Sequence, residues 1–318
     1  PETGYSEISF CHGPDGLSRQ VFSVDMNMPT LTDSLQFLFA GLTNGAIYAL
    51  IALGFCVVHN TMGIVNFTQV DLVSLGGMFL YSALFLFGLP MPLALAGAVT
   101  AAAVTGMAVE RVGIRPSRSD NHLVLIFLTI GLSVILRGIM KLAWGKNRMA
   151  VPPLTADEPI RLFGATILPQ ILWIFLLTAG AVLLLIWIFR RTTLGLCMRA
   201  VASNADAAAV VGIDGGRIRM ISFAIAGGMG GLAGALVTPI TTLSYDVGVL
   251  LGLKGFAAAI LGGFGSFVGA VAGGVLLGVL ESLAAAGLSS AYKDVIAFGL
   301  LLLVLFIRPA GLFGSAKR

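Results

Sequence analysis

Long apolar runs alternate with short polar connections along most of this chain. Several runs reach about twenty residues, the length that a helix needs to cross the roughly 30 Å hydrocarbon core of a bilayer. The pattern predicts an all-α, polytopic helical membrane protein with about eight or nine transmembrane spans, one of them short or broken. The predicted spans are 35–58, 63–88, 92–110, 123–143, 169–189, 219–240, 252–264, 266–287 and 292–307.

Two of these predicted spans depart from a plain apolar helix. The second begins with GIVNFTQVD at residue 63, which is too polar for a helix that faces lipid. The run at 252–264 rises only about 20 Å as a helix, and LGGFGS at 261–266 interrupts it. Because non-helical backbone survives at membrane depth only inside protein or beside a water-filled cavity, the break predicts a buried or pathway-lining element.

Composition excludes a soluble domain. Hydrophobic residues make up 57% of the chain and charged residues 11%, whereas a soluble domain carries roughly a quarter charged residues. Glycine is frequent, as expected where transmembrane helices approach closely. Glycines spaced four apart predict helix packing within the chain rather than a dimer face, and they are Gly227, Gly231, Gly265, Gly269, Gly273, Gly274 and Gly278.

The placement of basic residues predicts the topology. Arginines cluster around 111–118, in 190–219 and in the last residues from 308, and the positive-inside rule puts these segments in the cytoplasm and the N-terminus outside. The connection 144–168 faces out, although it also carries basic residues. With the basic residues spread over loops, the net charge of +4 favours this topology over nucleic-acid binding.

The sequence predicts a short N-terminal tail followed by one long transmembrane domain. Residues 1–30 are polar and lack the apolar core of a secretory signal, so they are expected to form a disordered tail or an extension. Residues 31–318 are expected to form a single transmembrane domain, with 190–219 as a cytoplasmic loop.

No catalytic, cofactor or metal site is predicted. The chain contains no G-x-x-x-x-G-K-[ST], G-x-S-x-G or H-E-x-x-H motif, which excludes a P-loop ATPase and gives a membrane hydrolase no support. The three cysteines are odd in number and lack C-x-x-C spacing, and the three histidines are far apart. The chain is therefore predicted not to be an enzyme.

The polar loop 190–219 contains a short helix signal. Ser203 to Asp206 fits the S-x-x-D capping box, in which the serine hydroxyl accepts from a free N–H of the first turn. Gly212 suits the left-handed residue just past a helix end. The helix of about eight residues between them is marginal alone in water, so it requires a surface that packs on it. The alternative is a plain loop that happens to contain alanines.

Several stretches resemble one family. D-A-A-A-V-V-G at 206–212 is similar to the E-A-A-x-x-x-G loop of ABC importer permeases, with Asp206 where that family usually has glutamate. The resemblance covers about residue 30 to the end and points to the shorter of the two permeases of branched-chain amino acid ABC importers. Its other motifs are NGAIYALIALGF at 44–55, RTTLGLCMRAVASNADAAAVVGID at 191–214, LKGFAAAILGGFGSFVGAVAGGVLLGVLES at 253–282 and IRPAGLFG at 307–314.

The resemblance implies a multi-pass permease of the bacterial inner membrane with a cytoplasmic coupling helix. Its implied partners are a homologous second permease, two cytoplasmic ATP-binding subunits, a periplasmic substrate-binding protein and membrane lipid, with no nucleic acid. In that family the coupling helix docks in a groove of the ATP-binding subunit. The residues assigned to coupling are Arg199, Asn204, Asp206, Ala207, Ala208 and Gly212.

One departure from the family leaves the cargo open. The family usually shows an Asn-Phe-Ala-His-Gly-acid run after the first span, where this chain has NFTQVD at 66–71. If that run touches substrate, the cargo need not be leucine, isoleucine or valine. The alternatives are a related permease for urea, a short amide or a sugar, and a self-sufficient secondary transporter or channel, which usually needs mid-membrane acids and paired repeats.

Polar residues inside the predicted spans are the candidates for a substrate pathway, with interhelical hydrogen bonding as the alternative. Glu281 is expected to make a buried structural hydrogen bond, and Asp71 either to serve the pathway or to reach the interface as a helix-end charge. Arg137 and Lys141 are expected to extend outward to the membrane surface. The predicted pathway residues are Asn44, Asn66, Gln69, Asp71, Thr129 and Ser133.

Overall fold

The computed structural model describes residues 31–117, 121–155, 160–162, 165–287, 293–308 and 311–314. The predicted tail at 1–30 lies outside the described residues. Within them the chain forms eleven α-helices and one short antiparallel hairpin. The helices are α1 Leu31–Met62, α2 Gln69–Phe85, α3 Met91–Ala108, α4 His122–Trp144, α5 Pro169–Arg191, α6 Thr193–Ser203, α7 Ala205–Val210, α8 Gly215–Val237, α9 Val247–Gly262, α10 Phe267–Gly287 and α11 Lys293–Ile307, and the strands are β1 Ile160–Leu162 and β2 Ala165–Ile167.

Six of the described helices are long and apolar enough to cross a membrane: α1, α3, α4, α5, α8 and α10. The apolar helices α2 and α9 are shorter, with 17 and 16 residues. At 1.5 Å per residue α2 rises about 26 Å, less than the hydrocarbon core. The predicted polytopic helical fold is confirmed. One short apolar helix was predicted, near 252–264, and the structure contains a second one, α2.

The second predicted span needs correction at its start. Residues 63–68 are not helical, and α2 begins only at Gln69. The Asn66 carboxamide oxygen accepts from both the backbone N–H and the hydroxyl of Thr68, at 3.1 and 2.6 Å. Such local side-chain bonds compete with helix formation. The polar start GIVNFTQVD is therefore a buried turn before a helix.

The predicted break at 261–266 is confirmed. The helix α9 ends at Gly262, and Gly263 follows with φ +95°. Only glycine adopts that conformation without strain, so the chain leaves the helix at this point. The next helix, α10, starts at Phe267.

Glycine contacts hold the long helices together. A Cβ atom on Gly278 of α10 would lie 2.3 Å from the backbone nitrogen of Gly45 in α1. On α8, a Cβ on Gly227 would lie 2.5 Å from the Ala102 carbonyl of α3, and one on Gly234 would lie 1.8 Å from the Val73 carbonyl of α2. These backbones touch, which confirms that the glycine pattern serves packing within the chain.

The three arginine-rich segments lie at the same end of the bundle. The Arg115 guanidinium is 3.4 Å from the position of a Cβ on Gly216, and Ala202 and Phe313 line one cleft. We call this the basic end, marked by Arg115, Arg199 and Arg308. Its location in the cytoplasm stays a prediction.

Candidate functional site

The short helix α7 stands at the basic end between α6 and α8. The Asn204 carboxamide oxygen accepts from the Ala207 N–H at 2.9 Å, so Asn204 caps the helix. The prediction that Ser203 is the cap is wrong, because α6 runs through Ser203 and the backbone first becomes extended at Asn204. The helix has six residues instead of the predicted eight.

Gly212 ends this segment as predicted. Its φ is +86°, and the neighbouring Ile213 N–H donates to the Ala208 carbonyl at 3.0 Å. A Cβ on Gly212 would meet no atom within 4 Å, so backbone conformation rather than space favours glycine here.

One side of α7 is anchored and the other is open. Ala208 is buried in the main apolar core, with Ile213 packed against it. Asp206 and Ala207 are exposed, and the residues Val210 and Val211 are 88% and 75% exposed. The helix and the residue that follows it therefore present one carboxylate and two valines away from their own chain, an arrangement suited to contact with another protein.

Two side chains fix the ends of the neighbouring helices. The Arg199 guanidinium donates to the Phe189 carbonyl in the last turn of α5. Asp214 caps α8 and accepts from the N–H groups of Arg217 and Gly216 at 3.2 and 2.9 Å. The bond from the Arg217 N–H, followed by that from Gly216, lowers the pKa of Asp214 below its usual value. This cap stabilises the fold above the unfolded pKa of about 3.9 and is lost as pH falls through the lower folded pKa.

Five of the six predicted pathway residues gather where α2 begins. The Phe67 N–H donates to the Thr129 hydroxyl at 3.2 Å, and the Gln69 amide donates to the Ala226 carbonyl at 3.0 Å. The Ser133 hydroxyl donates to Asp71. All five are buried: Asn66, Gln69, Asp71, Thr129 and Ser133.

This cluster of five polar residues is almost inaccessible to solvent in the structure. The amide nitrogen of Asn66 and the amide oxygen of Gln69 are buried and have no hydrogen-bond partner. Asn44 stays apart on α1, where it is half-buried and makes no hydrogen bond to these residues in the described part of the chain. The pathway role of all six residues stays a prediction.

The expectation that Arg137 reaches outward is wrong. Its guanidinium pairs with the Asp71 carboxylate at 3.0 Å, with side chains 30% and 1% exposed. Turning inward compensates a carboxylate that would otherwise lie unpaired among apolar helices. Asp71 thereby links α2 to α4. The Lys141 ammonium lies 5.9 Å from the centroid of the Tyr245 ring.

The sequence missed a second ion pair inside the bundle. The Lys254 ammonium of α9 is 2.6 Å from the Glu281 carboxylate of α10, and both side chains are nearly buried. The Tyr48 hydroxyl of α1 donates to the same carboxylate at 2.8 Å. The predicted buried hydrogen bond of Glu281 is confirmed, and an isolated lysine in an apolar run was the available signal for its partner.

A third pair lies at the basic end. The helix α3 continues into a π-helical turn, Val109–Ile114, which holds Glu110 fully buried. The Arg219 guanidinium of α8 is 3.7 Å from its carboxylate, too far for a hydrogen bond. In the described residues no group of three or more His, Cys, Asp or Glu could hold a metal ion.

Comparison with known proteins identifies the family. The model of the family described as "Branched-chain amino acid transport system / permease component" matches residues 37–305. The chain belongs to this family. The permease is 34% identical to the high-affinity branched-chain amino acid transport system permease protein LivH of Salmonella typhimurium, over 89% of this chain and 96% of that protein. It is 33% identical to the corresponding protein BraD of Pseudomonas aeruginosa, over 91% and 99%.

A solved structure adds a weaker likeness. PsaBC from Streptococcus pneumoniae in complex with Fab matches this permease with a TM-score of 0.46 and 14% identity, over 86% of this chain and 92% of that one. The family and the six long helices confirm the predicted permease subunit and its multi-pass location in the bacterial inner membrane.

Proposed function

We propose that this permease carries branched-chain amino acids as one of two permease subunits of an ABC importer. Separate subunits bind and hydrolyse ATP, and a periplasmic protein delivers the cargo. The observation that carries the proposal is α7, which is anchored by Ala208 while Asp206, Val210 and Val211 face outward. Exposed valines beside a carboxylate form a surface on which the ATP-binding subunit docks.

Movement of α7 reaches the membrane helices through short, capped connections. Asn204 links α7 to α6, and Asp214 links it to α8. The backbone of α8 touches α3 at Gly227 and α2 at Gly234, so these helices shift with it. Closure of the ATPase dimer then rocks the permease between outward-open and inward-open states.

The proposed pathway begins at the polar turn before α2. A buried amide nitrogen on Asn66 and a buried amide oxygen on Gln69 lack partners in this conformation. Unpaired buried polar groups cost free energy, about 1–3 kcal/mol each. Opening of this turn would let them bind the polar groups of a passing amino acid, and the names of LivH and BraD support that cargo class.

A charge placed on α7 tests the coupling role. Val210→Arg should lower ATP-driven uptake of labelled leucine at least about tenfold, because it buries a charge in the docking groove. The measurement is uptake by proteoliposomes that contain the full importer, together with copurification of the ATP-binding subunits. Val112→Arg is the matched control, since Val112 is 74% exposed at the same end.

Two outcomes separate the parts of the proposal. Normal uptake and normal copurification with Val210→Arg would reject α7 as the coupling helix. Nucleotide-driven uptake of urea or a sugar in place of leucine, isoleucine and valine would reject the cargo and leave coupling intact.

A further inference from the structure

A cleft opens at the basic end beside α6. One lobe of about 550 Å³ lies between the end of α1, the turn at 263–266 and the segment 311–314. A second lobe of about 430 Å³ lies between α6 and the end of α5. Asn60, Ala202 and Gly265 line both lobes, so the two form one continuous concavity.

The cleft carries positive charge without a compensating acid. Arg190 and Arg199 line the second lobe, and Arg190 also lines an adjoining space of about 240 Å³. No aspartate or glutamate lines these spaces in the described residues. Arg199 is held by its bond to the Phe189 carbonyl, whereas Arg190 is exposed and forms no ion pair within the described ranges.

The cleft adjoins the start of α7. Ala202 and Ser203 form part of its wall, and the next residue, Asn204, caps α7. A protein that contacts α7 therefore lies next to this wall of the cleft.

We propose that the cleft receives an acidic segment of the ATP-binding subunit, whose carboxylates pair with Arg190 and Arg199. The inference rests on the proposed coupling role of α7 and adds a second contact to it. Charge complementarity at the edge of an interface acts mainly on association rate and salt dependence, whereas the apolar valines of α7 supply the core of the contact. The cleft thus serves to guide and orient the ATP-binding subunit.

Charge reversal at two adjacent arginines tests this contact. Arg190 and Arg191 both lie exposed at the end of α5, but only Arg190 lines the cleft. Arg190→Glu should weaken binding of the purified ATP-binding subunits to the detergent-solubilised permease about tenfold at low salt. The difference in affinity between this variant and the unaltered permease should shrink to about twofold near 0.5 M salt, where screening is strong. Arg191→Glu should stay within about twofold of the unaltered permease.

A second pair of variants fills the space without changing charge. Ala202→Trp should obstruct both lobes and weaken binding about tenfold as well. Leu196→Trp adds bulk to the same helix at a position that is 59% exposed and away from the cleft, and it should bind normally.

Three results would overturn the inference. The first is unchanged binding with both Arg190→Glu and Ala202→Trp. The second is an equal loss with Arg190→Glu and Arg191→Glu, which would indicate general surface charge. The third is unchanged subunit binding with weakened adhesion to phosphatidylglycerol vesicles, which would assign the cleft to lipid headgroups. In each case a loss of uptake with Val210→Arg would leave the coupling role of α7 standing.

Discussion

Two ion pairs inside the bundle, Lys254–Glu281 and Asp71–Arg137, each join two different helices. Lys254 and Glu281 have the more enclosed environment, with side chains 8% and 5% exposed, and Asp71 pairs with the more exposed Arg137. A buried pair is a weak source of net stability, but the loss of one member leaves an uncompensated charge. These residues therefore fix which helices lie side by side.

Removal of one member of the enclosed pair should be costly. Lys254→Met should destabilise the permease by about 3–5 kcal/mol, because Glu281 then lies buried without its cation. The double variant Lys254→Met with Glu281→Gln should recover much of the loss, since the amide still accepts from Tyr48. Thermal unfolding in detergent measures both. Equal stability of the single variant and the unaltered chain would show that the pair has no such role.

Sequence reasoning found the acids but not their partners. Asp71 and Glu281 stand out because each interrupts an apolar run, and the cost of a charge at that depth makes each noticeable. Lys254 is also a lone charge in such a run, yet its partner lies on the next helix. Arg137 was expected to reach the surface because helix position alone does not reveal the rotation of α4.

At the scale of elements, glycine surfaces decide which helices touch. The contact between α1 and α10 places Gly41, Gly45, Gly274 and Gly278 backbone to backbone. Close approach of this kind gains dispersion contacts that lipid does not provide. The spacing of Gly274 and Gly278 was part of the predicted pattern, but the Gly41 and Gly45 surface of α1 that they meet was not.

A valine at this contact should separate the two helices. Gly278→Val would force a Cβ to 2.3 Å from the Gly45 nitrogen, and overpacking costs about 1–3 kcal/mol or more. The folded fraction after detergent extraction and the thermal midpoint should both fall. Gly180→Val in α5 is the control, because a Cβ there meets no atom within 4 Å. A similar loss from both variants would mean that the α1–α10 contact is not special.

Helix existence was predictable, whereas helix ends depended on local bonds. The start of α2 moved to Gln69 because Asn66 binds the backbone of Thr68, and the start of α7 moved to Ala205 because Asn204 took the capping role. Either residue of the Ser203–Asn204 pair satisfies a cap pattern. Only the folded backbone decides between them.

At the scale of the whole molecule, the composition was sufficient to predict a polytopic helical fold. Hydropathy reports burial in lipid or protein without distinguishing them, so it did not predict that α1 lies at the centre while α4 and α5 lie at the edge. The family membership gives the class of transport protein. The exposed side of α7 is the reason to expect a separate ATP-binding subunit.

Transport should therefore depend on partner subunits. Liposomes that contain this permease alone should accumulate no labelled leucine, with or without an imposed proton or sodium gradient. Addition of the second permease, the ATP-binding subunits, the binding protein and ATP should start uptake. Gradient-driven uptake by the single chain would instead establish a secondary transporter.

The central position of α1 also bears on how the chain is made. This helix leaves the ribosome before every other described helix, yet the glycine-rich face that it needs belongs to α10, which begins at Phe267. During synthesis the Gly41 and Gly45 surface must therefore contact lipid or the insertion machinery until α10 is inserted. A nascent chain released before α10 emerges would therefore leave the glycine surface of α1 unpacked. Such a chain should be a substrate for membrane quality control.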